Sequence, residues 1–287
     1  MGRFAPTPSG DLHLGSLYAA AASYLDARAH GGRWLLRIED LDRLREVKGA
    51  ADQILRTLEA FGFQWDGPVC RQSGRTELYE HALASLRQRD LLFGCACSRA
   101  QLEDEPRYPG TCRDLKLDPA ENRATRIRID DERIEFCDRV QGIFAQQLVR
   151  DVGDFVVKRR DQLFAYVLAV VVDDAEQGIT HVVRGADLLD NTPRQIFLQD
   201  QLAMPRLHYA HVPVLCEPDG TKLAKSARSV RIQAASPLNE LMSVFDLLGM
   251  PALRVGDFAD VNAAWRAGIA AWQLQKVPKC LNLQLSG

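Results

Sequence analysis

The chain lacks an excess of charge of either sign. Its 36 Lys and Arg are set against 38 Asp and Glu, a formal net charge of −2. That balance excludes a global basic field for nucleic acid, so any such contact must be local. Two short basic groups, Arg126 with Arg128 and Lys158-Arg159-Arg160, are candidates, and each read alone is solvated surface charge. Long hydrophobic runs are also missing. The apolar run LFAYVLAVVV, residues 163–172, is far too short to span a bilayer and ends in Asp173-Asp174. No secretory signal opens the sequence, because Arg3 and the turn residues after it interrupt any apolar stretch there. Seven cysteines form an odd count without a regular framework, which points to reduced thiols. Repeats, low-complexity tracts and flexible linkers are absent. These absences predict a soluble, cytoplasmic protein with no membrane partner.

What is there suits one large domain or two modest ones: 287 residues, 46% hydrophobic and 26% charged. Residues 2–6 read as a short buried strand, and residues 16–30 as a helix stopped by Gly31-Gly32. RWLLRIED, residues 33–40, reads as a second strand. A helix follows near Val47 to Phe61, with Ile54, Leu55, Leu58 and Phe61 at helical spacing. Strand, glycine turn, helix, strand, helix is the opening of a doubly wound α/β sheet, whose ligands lie at strand carboxyl ends. After a helix near Thr76 to Leu92, short β segments to about residue 162 read as an insertion. The run at 163–172 is expected to resume the parallel-sheet character. HVVRGADLL with TPRQIFLQDQLAM gives a further β–α unit, and HVPVLCEPDG a strand ending in a turn. The tail predicts helices near Pro237 to Leu248 and Asp260 to Gln275, the second capped by Asp260.

The conformationally special residues crowd into PTPSGDLHLGS, residues 6–16, at the first strand-to-helix turn. A glycine-bearing turn there can hold a phosphate against the helix's N–H groups. His13 is placed to donate to a phosphate oxygen, and Gly15 to permit close backbone approach. A histidine beside a glycine in a turn also occurs for structural reasons alone. A second element, PDGTKLAKSARS (218–229), places Lys222 and Lys225 in a polar loop after a strand. Together with His13 these lysines can clamp a triphosphate and stabilise a transferring phosphorus centre.

PTPSGDLHLGS and KLAKS resemble the two signatures of class I aminoacyl-tRNA synthetases. GRFAPTPSGDLHLGSL, RIEDLDR and RQSGR are similar to the glutamyl/glutaminyl branch, over about the first 230 residues. Ser16 stands where the first signature has a second histidine, and Ala224 replaces the middle serine of the lysine loop. The resemblance implies a Rossmann-type doubly wound parallel sheet, with ATP and Mg²⁺ bound at His13, Gly15, Ser16, Lys222 and Lys225. His13, Lys222 and Lys225 would be catalytic. It also implies an L-glutamate pocket lined by Arg3, Phe4, Ala5, Pro6 and Thr7. There Glu39 receives the α-amino group, Tyr166 and Arg184 form the far wall, and Arg184 or Arg3 meets the carboxylates. Guanidinium forks suit such a substrate because they pair bidentately with planar carboxylates. Val170 departs from the asparagine that the glutamyl-tRNA synthetases carry four residues after this tyrosine.

Cys95 and Cys97 form C-x-C, followed by Cys112. Three clustered thiols suit zinc or packed, reduced cysteines, and a structural zinc site needs a fourth ligand. The truncated paralogues of the glutamyl-tRNA synthetases carry a matching arrangement, which implies Tyr108 as that ligand and one structural Zn²⁺ per chain. Only 61 residues follow Ser226, so no separate anticodon-binding domain is expected. The expected division is a Rossmann half at 1–74, an inserted α+β subdomain with the zinc site at 75–162, and the second Rossmann half at 163–215. The lysine loop and a short helical region then occupy 216–287. By resemblance to the truncated paralogues, the chain would act as a monomer. It would activate glutamate with ATP and transfer it to queuosine in the anticodon stem-loop of tRNA(Asp). The other readings are a minimal enzyme charging a tRNA 3′ end, a small nucleotidylyltransferase sharing the first signature, and a non-catalytic tRNA-binding paralogue.

Overall fold

The computed structural model describes residues 1–98, 100–102, 107–119, 123–221, 223, 232 and 236–285. The first strand, β1 (Gly2–Phe4), leads through the opening turn into α1 (Leu14–Ala29), then β2 (Trp34–Ile38), α2 (Ala50–Ala60) and the two-residue β3 (Cys70–Arg71). Helix α1 stops as its sequence predicts. Gly31 takes φ +62°, and the Gly32 N–H reaches back to Ala27 O at 2.8 Å, satisfying a carbonyl of the last turn.

Next come α3 (Thr76–Gln88), β4 (Leu92–Cys95), β5 (Ala124–Ile127), β6 (Arg133–Asp138), β7 (Gly142–Gln147), α4 (Leu148–Asp151) and β8 (Val156–Lys158). The second half holds α5 (Tyr166–Glu176), β9 (His181–Gly185), α6 (Thr192–Gln201), β10 (His208–Val212) and β11 (Val214–Cys216). The tail holds α7 (Pro237–Leu247), α8 (Val261–Ala271) and β12 (Asn282–Gln284).

Strands β3, β2 and β1 pair in parallel, as do β9 and β10. Met1 O accepts from the N–H groups of Thr180 and His181, joining β1 to β9. The order is therefore β3-β2-β1-β9-β10, with the reversal of winding between β1 and β9, where such sheets bind ligands. Alternation along these strands separates two large cores, one on each face of the sheet. Val183 and Ala210 face α1, α2, α7 and α8, whereas Val182 and Tyr209 face α3, α5 and α6. The insertion adds the antiparallel sheet β4-β5-β8 and the hairpin β6-β7.

Two expectations are corrected. The apolar run at 163–172 is not a strand: most of it forms α5, whose residues Val167 to Asp174 are all buried. An unbroken apolar stretch serves a helix enclosed on every side as well as a buried strand, and periodicity cannot separate them. The tail is not purely helical, because β12 returns to pair in parallel with β11. Asp260 does cap α8, its carboxylate accepting from Ala263 N at 2.8 Å. No described helix is long and apolar enough to cross a membrane.

Candidate active site

At the winding reversal lies a cleft of about 330 Å³. Its walls bring together every described residue of the predicted phosphate and glutamate groups: Arg3, Phe4, Ala5, Pro6, Thr7, His13, Gly15, Ser16, Glu39, Tyr166 and Arg184. Lys222 and Lys225 lie outside the described residues, as does Ala224. Leu223 between them lines the cleft. Val170 does not line it; it lies on α5 and is buried in the core.

The opening turn is held from both sides. Glu39 N donates to Pro6 O at 3.0 Å, and Val47 N to Pro8 O at 2.9 Å, so the end of β2 and the connection before α2 brace the turn. His13 is the N-cap of α1, its Nδ1 accepting from Ser16 N at 3.3 Å. That bond puts the ring proton of the neutral imidazole on Nε2, so the ring's donor is on the opposite edge. Gly15 also has a local role. A Cβ there would lie 3.1 Å from His13 Cε1 and Nδ1, so the imidazole would have to give by a few tenths of an ångström.

Beneath the cleft runs a buried ionic network that the motifs alone did not show. Arg3 offers Nε and Nη2 side-on to Asp174, at 3.2 and 3.3 Å. Arg37, fully buried, donates to Asp174 at 2.8 Å and to Gln177 at 2.6 Å, and lies 3.5 Å from Glu39. Asp173 receives Gln72 at 2.7 Å, Arg75 at 2.6 Å and the Tyr79 hydroxyl. Ser73 donates twice to Asp40, each time at 2.8 Å. The RQSGR segment thus anchors the floor of the site. The network's two central acids, Asp173 and Asp174, showed in the sequence only as the pair ending an apolar run.

These surroundings tune the carboxylates apart. Burial would raise Asp174, but Arg3 and Arg37 outweigh it and hold its carboxyl below the ordinary range. Glu39 goes the other way, because burial raises it to about 7 despite Arg37 and Arg3. Burial also raises the Tyr166 phenol.

Arg184 is fixed at the far wall. Its Nε donates to His211 Nε2 at 3.0 Å and its Nη2 to Thr192 Oγ1 at 2.8 Å, while Nη1 faces the Tyr166 hydroxyl at 3.4 Å.

Away from the cleft, the Sγ atoms of Cys95, Cys97 and Cys112 lie within 4.8 Å of one another. Cys97 and Cys112 are 3.6 Å apart, too far for a disulfide and close to the sulfur spacing of about 3.8 Å implied by Zn–S bonds of about 2.3 Å in a tetrahedron. The Tyr108 hydroxyl stands 3.6 Å from Cys95 Sγ and accepts from Cys112 N at 2.8 Å. Three thiols and one phenol oxygen in one small cluster fit a tetrahedral metal.

Four side chains of the two basic groups are drawn into structure. Arg126 is buried, stacks 3.8 Å over the Tyr108 ring and donates to Asp154 O. Arg128 lies over Phe93, while Lys158 and Arg159 pair with Glu80 and Asp42.

Residues 1–255 match the family model for the catalytic domain of class I tRNA synthetases (E and Q). A protein of Ectopseudomonas mendocina, named glutamyl-Q tRNA(Asp) synthetase, is 53% identical over 288 residues, covering 99% of this chain and 96% of that relative. The chain belongs to this class I synthetase family. A glutamyl-Q tRNA(Asp) synthetase of Pseudomonas aeruginosa is 52% identical, again over 99% of this chain and 97% of the relative. Among solved structures, a glutamate tRNA ligase of Elizabethkingia meningosepticum in complex with its amino acid superposes with a TM-score of 0.83 at 26% identity. The alignment takes in 99% of this chain but 66% of that ligase. The class I synthetase fold is therefore shared in full, while the ligase continues beyond it.

Proposed function

We propose that this protein activates L-glutamate with ATP, without tRNA, and transfers it to queuosine at the wobble position of tRNA(Asp). The observation that carries the reading is the convergence of Arg3, Glu39, Tyr166, Arg184 and the His13-capped helix on one cleft at the winding reversal. Near-full-length identity to relatives that bear the glutamyl-Q tRNA(Asp) synthetase name supports the acceptor.

In this reading Glu39 accepts the substrate's α-ammonium, and Arg184 or Arg3 meets its carboxylates. The α-carboxylate then attacks the α-phosphorus of ATP in line, and pyrophosphate leaves. His13, through Nε2–H, and the lysines Lys222 and Lys225 donate to phosphate oxygens as charge builds there. Mg²⁺ on the pyrophosphate supplies charge neutralisation. No protein nucleophile is needed, and positioning and electrostatics provide the rate. Cys95, Cys97, Cys112 and Tyr108 hold one structural Zn²⁺ in the inserted segment 75–162, between the Rossmann segments 1–74 and 163–215. The segment 216–287 closes the chain, which acts as a monomer in the cytoplasm.

Glutamate-dependent ATP–pyrophosphate exchange without tRNA tests the activation step. The unsubstituted protein is expected to exchange, and His13→Ala to lower kcat by roughly 100- to 1,000-fold, as for loss of one donor to a developing oxyanion. Absence of exchange at saturating glutamate and ATP would contradict the reading.

A further inference from the structure

Arg184 is held by a buried chain of groups that begins in the inserted hairpin. Asp138, at the end of β6, accepts at Oδ1 from the N–H groups of Val140, Gln141 and His211, at 3.0, 2.8 and 3.1 Å. Its Oδ2 lies 2.6 Å from His211 Nδ1. His211 sits on β10 and passes the contact on, its Nε2 lying 3.0 Å from Arg184 Nε. Asp138, His211 and Arg184 are all buried. A guanidinium can only donate, so His211 Nε2 must be the acceptor and Nδ1 must carry the proton, donated to Asp138. Burial first, and then the charge of Arg184, lower the His211 pKa to about 4, which keeps the imidazole neutral.

We propose that Asp138 and His211 are positioning residues that set the orientation of Arg184 for carboxylate recognition in the cleft. The inference rests on the reading of Arg184 as a substrate-carboxylate partner. The geometry gives the reason for an imidazole between the two charges. A carboxylate in direct contact would occupy a guanidinium edge and cancel much of its charge. With His211 between them, Asp138 governs the ring and the ring governs Nε. Thr192 and Leu188 O hold Nη2, at 2.8 and 3.4 Å. Nη1 remains the nitrogen beside Tyr166, on the wall of the cleft. The charge of Arg184 thus stays available to an anionic substrate, at a fixed angle.

The test is a set of variants assayed by glutamate-dependent ATP–pyrophosphate exchange. His211→Phe keeps the ring and removes the acceptor, so KM for glutamate should rise about tenfold or more, with KM for ATP within about twofold. In His211→Gln the amide oxygen can accept from Arg184, and KM for glutamate should return to within about threefold of the unsubstituted chain. Asp138→Asn places a donor against Nδ1, moves the ring proton to Nε2 and sets it against Arg184. Its KM for glutamate should rise as in His211→Phe. Should His211→Phe fail to fold, Asp138→Asn carries the test, since it keeps shape and hydrogen-bonding capacity. Unchanged KM for glutamate in the folded variants, or equal losses toward glutamate and ATP, would overturn the proposal. Nitrogen NMR of His211 provides a readout independent of activity. It should show the Nδ1–H tautomer in the unsubstituted chain and Nε2–H in Asp138→Asn. The Nε2–H form in the unsubstituted chain would defeat the relay even if exchange is normal. Absence of exchange with Nδ1–H present would defeat the functional reading instead.

Discussion

Glu39→Gln is expected to raise KM for glutamate at least about a hundredfold while leaving the fold at least as stable at pH 8. The first effect follows from the loss of a buried charge partner for the substrate's ammonium group, which typically costs 2–5 kcal/mol, or roughly 30- to 5,000-fold. The second follows from the raised carboxyl of Glu39. Its folded value of about 7 lies above the ordinary 4.5. Between those values the folded chain keeps a proton that the unfolded chain has released, so the charged form opposes folding. The penalty is absent below pH 4.5 and complete above pH 7, and glutamine removes it. The same shift gives the activity a pH limb. At subsaturating glutamate, exchange should fall as pH drops through about 7, because protonated Glu39 no longer attracts the ammonium. That limb should be missing from Glu39→Gln. Thermal unfolding at pH 8 and a KM series from pH 6 to about 8.5 check both halves, with pH values chosen to bracket the carboxyl. An unchanged KM for glutamate would remove Glu39 from the site.

A second large effect is expected at the cysteine cluster. Protein purified without a metal-binding tag should carry about one zinc per chain. The Cys95→Ser/Cys112→Ser variant should lose it and unfold at lower temperature. Among the described residues, the small core around this cluster has four buried members, Phe93, Cys95, Tyr108 and Cys112. So little apolar area leaves the metal as the main local source of stability, and binding free energy becomes folding free energy. None of the four residues lines the cleft, so tRNA-free exchange by the folded variant should stay near that of the unsubstituted chain. A full equivalent of zinc retained by the double variant would refute the ligand set.

The sequence made local features legible and hid the distant ones. Gly31 behind α1, Asp260 before α8 and the glycine turn before α1 each act within a few residues, and each is where the pattern put it. The residues gathered in the cleft were legible through motifs, which package several positions into one recognisable string. Asp138 and His211 carry no such string: they are 73 positions apart and meet only because β6 packs beside β10. Asp173 likewise takes its partners from Gln72, Arg75 and Tyr79, about a hundred positions earlier. Helix α5 was misread because Val167 to Val172 offers no polar face to set a period. The pairing of β12 with β11 was invisible for a related reason. A three-residue strand has too little length to show alternation.

The most direct test of the central claim is where the glutamate goes. Radiolabelled glutamate, ATP and the protein should be incubated with tRNA(Asp) carrying queuosine, with the same tRNA carrying guanosine at that position, and with tRNA(Glu), and the labelled fragment mapped after nuclease digestion. The account predicts label only in the anticodon fragment of the queuosine-bearing tRNA(Asp). Label on the 3′-terminal fragment of tRNA(Glu), with none in the anticodon of tRNA(Asp), would contradict it.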